Sequence, residues 1–109
     1  MKKGKCYESA YKAMCKKYPI LVHGIVTGTM EPIKGKKFGH AWLEYDDENG
    51  IRWCFDTESG KHIPQVLYYH VGNVEYTSKY DVKTALIESL RVSTYGPWDD
   101  KIFNVDDEV

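Results

Sequence analysis

Phe38-Gly39-His40-Ala41-Trp42-Leu43-Glu44-Tyr45, then Asp46-Asp47-Glu48-Asn49-Gly50, then Ile51-Arg52-Trp53-Cys54-Phe55-Asp56-Thr57, is the stretch on which the fold turns. Two aromatic, β-branched runs flank a polar segment that ends in Asn-Gly, the strongest short-range hairpin signal. A five-residue loop over 46–50 pairs Tyr45 with Ile51. Antiparallel counting then sets Leu43 opposite Trp53 and Ala41 opposite Phe55, an apolar face. On the other face the same count sets Glu44 opposite Arg52, Trp42 opposite Cys54 and His40 opposite Asp56. A slip of one residue would exchange the faces. A change of two in the pairing sum is expected to part Glu44 from Arg52 and His40 from Asp56. Opposed residues have Cβ atoms about 4.5–5.5 Å apart, close enough for a carboxylate to accept from an imidazole and fix its tautomer.

Outward from the hairpin, Tyr7, Ala10, Tyr11, Met14 and Tyr18 recur at helical spacing, which predicts a helix over 6–18 stopped by Pro19. It begins at or beside Cys6, where backbone N–H groups and the lysines at 2, 3 and 5 favour a thiolate. Residues 20–27 read as a strand ended by Gly28. Residues 28–37 read as a loop, and Gly35-Lys36 lacks the spacing of a phosphate loop. Residues 64–71 fit either a short helix with proline in its first turn or an edge strand. Residues 73–77 read as a strand, and Ser78 with Asp81 as a capping box for a second long helix over 79–93. A turn over 96–99 and an acidic tail over 106–108 complete the chain.

The length of 109 residues and a 42% hydrophobic fraction suit one α+β domain spanning 1–109, a cysteine-bearing helix packed on a mainly antiparallel sheet. Residues 1–37 hold nine Lys and two Glu, whereas 38–109 hold six basic and fourteen acidic residues. That asymmetry reads as two faces that pair, not as a nucleic-acid site. No run is apolar enough to span a membrane, and none at the start resembles a signal core, so a cytoplasmic location is expected. Cys6, Cys15 and Cys54 lack paired C-x-x-C spacing and read as free thiols. Cys15 and Cys54 read as small core residues, with Cys54 the reserve nucleophile on the His40 face. His23, His62 and His70 read as surface or satisfied core histidines, and Trp42 as packing or as a wall that contacts substrate.

Cys6 as nucleophile, His40 as base and then acid, and Asp56 as its orienter make a catalytic triad for attack on an acyl carbon. The amide of Cys6 is one expected oxyanion donor. The strings Gly4-Lys5-Cys6-Tyr7-Glu8-Ser9-Ala10, His23-Gly24-Ile25-Val26, Gly39-His40-Ala41-Trp42-Leu43-Glu44 and Phe55-Asp56-Thr57 resemble the transglutaminase-like core, related in layout to papain-like proteases. The resemblance covers about residues 4–60, and it implies the same three roles for Cys6, His40 and Asp56. The expected function is therefore cysteine-dependent hydrolysis or acyl transfer at a protein or peptide amide, with no cofactor. Two rival readings use the same residues. One is a zinc site of Cys6, His40 and Asp56 with Cys54 as a fourth ligand. The other is a non-catalytic interaction module that meets its partner through the basic N-terminal part.

Overall fold

A computed structural model describes residues 5–106. Its order is α1 (Lys5–Ala13), β1 (Ile20–Thr27), β2 (Lys37–Asp46), β3 (Arg52–Asp56), β4 (Lys61–Pro64), α2 (Gln65–Val71), β5 (Tyr76–Tyr80), α3 (Val82–Val92) and α4 (Asp100–Asp106). The five strands form one sheet in the order β4-β3-β2-β1-β5, every pair antiparallel. The α+β class and the antiparallel sheet are as the sequence predicts. The lysines at 2 and 3 and the tail residues 107–109 lie outside the described residues, and Asp106 ends α4.

β1 occupies the predicted residues, because an unbroken β-branched run bounded by Pro19 and Gly28 leaves little freedom for its ends. α1 ends at Ala13, five residues before the predicted end. Beyond it, reciprocal bonds between the backbones of Cys15 and Tyr18 (3.2 and 3.0 Å) close a turn. Pro19 disfavours helical backbone at Tyr18, and the chain must reverse here to enter β1. Cys15 consequently sits exposed in the turn and not in the core. Residues 61–71 divide into an edge strand and a helix, with Pro64 as the N-cap of α2. β5 starts three residues later than predicted, since Asn73, at φ 48°, belongs to the turn that leaves α2. Asp81, read as the far end of a capping box, is itself the N-cap of α3, its carboxylate accepting from the Thr84 amide at 2.7 Å. α4 was not foreseen, yet its Ile102 is fully buried.

The β2–β3 register differs from the predicted one by two in the pairing sum. The pairs are Leu43 with Phe55, Glu44 with Cys54, Tyr45 with Trp53 and Asp46 with Arg52. The cause lies in the turn. Oδ1 of Asp47 accepts from the amides of Asn49 (2.8 Å) and Ile51 (3.0 Å), and the Asp47 amide donates to the Ile51 carbonyl at 2.9 Å. With Gly50 at φ 81°, this is a three-residue loop over 48–50, not a five-residue one. The two contacts expected to break survive as diagonals. His40 still meets Asp56, and Arg52 still reaches Glu44 at 3.5 Å, because long side chains span the i, j±2 offset on one sheet face.

Strand alternation divides the core in two. On one face Leu21, Ala41 and Leu43 pack with Cys6, Tyr7 and Ala10 of α1 and with Ala85 of α3. On the other, Val22, Val26, Phe38, Trp42 and Cys54 pack beneath Tyr68 and Tyr69 of α2. Trp42 is fully buried there, with Gly24 beneath its ring: a Cβ at Gly24 would lie 2.6 Å from Trp42 Cη2 and 3.1 Å from the Tyr76 carbonyl oxygen. Neither the aromatic ring nor the strand backbone has room to yield. Gly24→Ala is accordingly expected to lower stability by about 1–3 kcal/mol in urea unfolding, the usual cost of overpacking a filled core.

Candidate active site

β2 and β3 carry the heart of the site. His40 Nε2 lies 3.0 Å from Asp56 Oδ2, with both side chains largely buried (11% and 13% exposed). Asp56 is held from four directions. Its Oδ2 also accepts from the Tyr68 hydroxyl at 2.6 Å, and its Oδ1 accepts from the backbone amides of Glu58 (2.9 Å) and Ser59 (3.4 Å). Burial alone would raise this carboxyl's pKa. The His40 hydrogen bond and charge, with help from Tyr68 and the Glu58 amide, outweigh burial and bring it down to about 2. Burial likewise acts to lower the His40 pKa, and the hydrogen bonds and charges of Asp56 and Cys6 outweigh it, raising the imidazole to about 10. Both shifts run in the direction that favours imidazolium beside carboxylate.

Cys6 sits in the first turn of α1 and is 2% exposed. Its hydrogen bonding and charge act with those of Asp56 to raise the His40 pKa, while the direct contact seen within the predicted triad is that of His40 with Asp56. The ring's other nitrogen, Nδ1, is buried and closes no hydrogen bond in the resting geometry. A cleft of about 600 Å³ opens on the α2 side of the sheet, and His40, Asp56 and Tyr68 are in its wall. Cys6 and Trp42 are not among its lining residues.

Two expectations about neighbouring residues are corrected. Trp42 contacts no open cleft; its Nε1 donates to Glu44 Oε2 at 3.0 Å, and its ring is core packing. Cys54 is no reserve nucleophile, because it is buried with its Sγ directed to Glu44 Oε2 at 3.5 Å, and burial beside that carboxylate drives its pKa far up. Among the described residues no three His, Cys, Asp or Glu side chains are grouped so as to hold a metal ion.

Sequence reasoning missed two participants. Tyr68 is one, because nothing local in the sequence ties a helix residue to a carboxylate twelve positions earlier. Glu44 was read as a partner of Arg52 alone. It is in fact fully buried and accepts from Trp42, Tyr69 (2.6 Å), Gln65 (3.0 Å), Lys79 (3.2 Å), Arg52 and Cys54. Burial pushes its pKa up, and the Tyr69 and Trp42 hydrogen bonds with the charge of Lys79 bring it down.

His23 is neither exposed nor satisfied. It is fully buried on the α1 side, its ring centroid 4.8 Å from that of Tyr7, 5.1 Å from Tyr80 and 4.9 Å from Trp98. Among the described residues neither ring nitrogen has a hydrogen-bond partner. Burial drops its pKa to about 3, against a small opposing pull from Asp99.

These shifts fix the pH dependence of stability. The depressed pKa of His23 means the unfolded chain binds the extra proton between about 3 and the ordinary value near 6.5, so stability is lost as pH falls through that window. The raised pKa of His40 means the folded chain binds the extra proton above about 6.5, so its stabilisation is lost as pH rises towards 10. The depressed Asp56 adds a loss below about 4. Urea midpoints are expected to peak near pH 6.5 and fall on both sides. In His23→Phe the fall between pH 6.5 and 4.5 should flatten, and in His40→Gln the alkaline fall should flatten.

Comparison with protein-family models, with curated proteins and with solved structures yields no match to this chain. No helix among the described residues is long and apolar enough to cross a membrane.

Proposed function

We propose that this chain is a cysteine-dependent amide hydrolase or acyltransferase of the transglutaminase-like or papain-like kind. The observation that carries the reading is the buried 3.0 Å contact between His40 and Asp56, in a ring whose pKa Cys6 also acts to raise. In this mechanism His40 takes the proton of the Cys6 thiol, the sulfur attacks the acyl carbon as the thiolate, forming a carbon–sulfur bond, and the carbonyl electron pair moves onto oxygen. As the tetrahedral intermediate collapses, the carbon–nitrogen bond breaks and His40 gives its proton to the departing amine. Asp56 keeps the imidazole in line and stabilises its charged form. Water then releases the acid, or a second amine takes the acyl group, with His40 accepting the proton of the incoming nucleophile. The substrate is an amide of a protein or peptide. Three free cysteines accord with a reducing, cytoplasmic setting. The test is turnover of a peptide-amide library: Cys6→Ala should abolish release of amine with the far-ultraviolet circular dichroism unchanged, and retained turnover would overturn the proposal.

One observation favours a second reading, a non-catalytic interaction module on the same fold. Cys6 is 2% exposed, whereas a nucleophile must meet its substrate. Reactivity of Cys6 in the folded protein separates the two.

A further inference from the structure

We infer that Tyr68 is a positioning residue of the proposed reaction: it donates to the same Asp56 oxygen that faces His40, holds that oxygen to the ring, and takes up part of the charge with which the carboxylate grips the imidazole. The inference rests on the proposed reading of the site and adds to it the group that tunes its histidine.

Asp56 uses its two oxygens differently. Oδ1 is fixed to its own loop by the amides of Glu58 (2.9 Å) and Ser59 (3.4 Å). Oδ2 is shared, with His40 Nε2 3.0 Å away and the Tyr68 hydroxyl donating to it at 2.6 Å. Tyr68 can only donate here, because burial and the Asp56 charge push its own pKa far up and keep the hydroxyl protonated. Its ring centroid lies 5.1 Å from that of Trp42, and the next residue, Tyr69, is tied to Glu44 at 2.6 Å, so α2 presents the hydroxyl from a fixed place.

A hydrogen bond donated to a carboxylate stabilises its charged form and makes it a weaker base. Tyr68 acts on Asp56 in that sense. Because Nε2 is turned to Asp56, the proton that travels in the reaction rides on Nδ1, which is buried and closes no other bond. His40 has to take that proton from the thiol and then give it to the departing amine, and too strong a carboxylate on Nε2 would trap it at the second step. Tyr68 relieves that grip. The other groups facing the pair do not. Cys6, from α1, acts to raise the His40 pKa. Phe38 and Trp42, with ring centroids 6.1 and 6.0 Å from that of His40, carry no charge. Lys61, opposite Asp56 on β4, and Glu58 are exposed, where water and salt screen them.

Nuclear magnetic resonance of nitrogen-labelled histidine reads His40 directly. Tyr68→Phe keeps the ring and leaves Oδ1 tied, so Asp56 stays opposite His40 with more charge on Oδ2. The low-field proton resonance of the His40–Asp56 hydrogen bond should move further downfield. The proton affinity of the His40 ring, followed by its nitrogen shifts against pH, should rise on the order of threefold to tenfold, the worth of one hydrogen bond. A fluorinated tyrosine placed at position 68 is a stronger donor and should move both readings the other way. Tyr69→Phe removes a hydroxyl from Glu44 in the same helix; it should lower the urea midpoint and leave both readings in place. A folded Tyr68→Phe protein in which the resonance and the titration do not move, or move in the opposite direction, would overturn the inference; if Cys6 alkylation by iodoacetamide still depends on His40, the nucleophile assignment stands. Alkylation of Cys6 that ignores His40 in the wild type would instead remove the reaction itself, and the role of Tyr68 with it.

Discussion

Glu44→Ala is expected to lower the unfolding free energy by about 3–5 kcal/mol, a large share of the roughly 5–15 kcal/mol typical of a folded domain. Glu44 is fully buried at the centre of β2, and its carboxylate is the shared acceptor for Trp42 and Tyr69 and for the ends of Gln65, Lys79 and Arg52. Lys79 and Arg52 are partly exposed and can turn to water, but the Trp42 indole N–H is trapped beneath α2. Each buried donor left unpaired costs about 1–3 kcal/mol, and removing one partner from a buried charged cluster typically costs about 3–5 kcal/mol. Glu44→Gln keeps an acceptor oxygen and the packing, so its loss should be clearly smaller. Urea midpoints for both variants give the comparison; an alanine variant as stable as wild type would mean the cluster adds nothing to folding.

The reach of the sequence is clearest in the hairpin. Alternation along 38–45 and 51–57 assigns the two faces as the structure has them, and the meeting of His40 with Asp56 is legible in the sequence alone. The register is not. It depends on whether Asp47 uses its carboxylate to cap the Asn49 and Ile51 amides, a choice between two loops that the same five residues permit. The site survives the error because a shift of two preserves the faces and leaves diagonal neighbours within reach.

Elsewhere, local signals fixed what is local. β1, bounded by Pro19 and Gly28, was read to the residue. The long-range pairings were hidden: Tyr68 to Asp56, Tyr69 and Lys79 to Glu44, and the rings around His23 depend on how α2, β5 and the 96–99 turn dock. The one legible hint was Glu44 itself, a carboxylate two positions from Trp42 on the same face of a strand otherwise rich in core residues. A charge on such a face calls for several partners, and only one had been found for it.

The proposed function requires Cys6, His40 and Asp56 to act as a unit, and the rate of alkylation at Cys6 tests this most directly. Cys15, exposed in the turn after α1, serves as the internal reference in the same sample. Burial alone predicts that Cys15 reacts first. Activation by His40 predicts the reverse: iodoacetamide should modify Cys6 faster than Cys15 in the wild-type protein at neutral pH, because the imidazolium favours the reactive thiolate. In His40→Ala, modification of Cys6 should slow by about 100-fold or more, the lower range of what a positioned acid–base partner supplies, while Cys15 is unaffected. A Cys6 that is slower than Cys15 in the wild type and indifferent to loss of His40 would contradict the account.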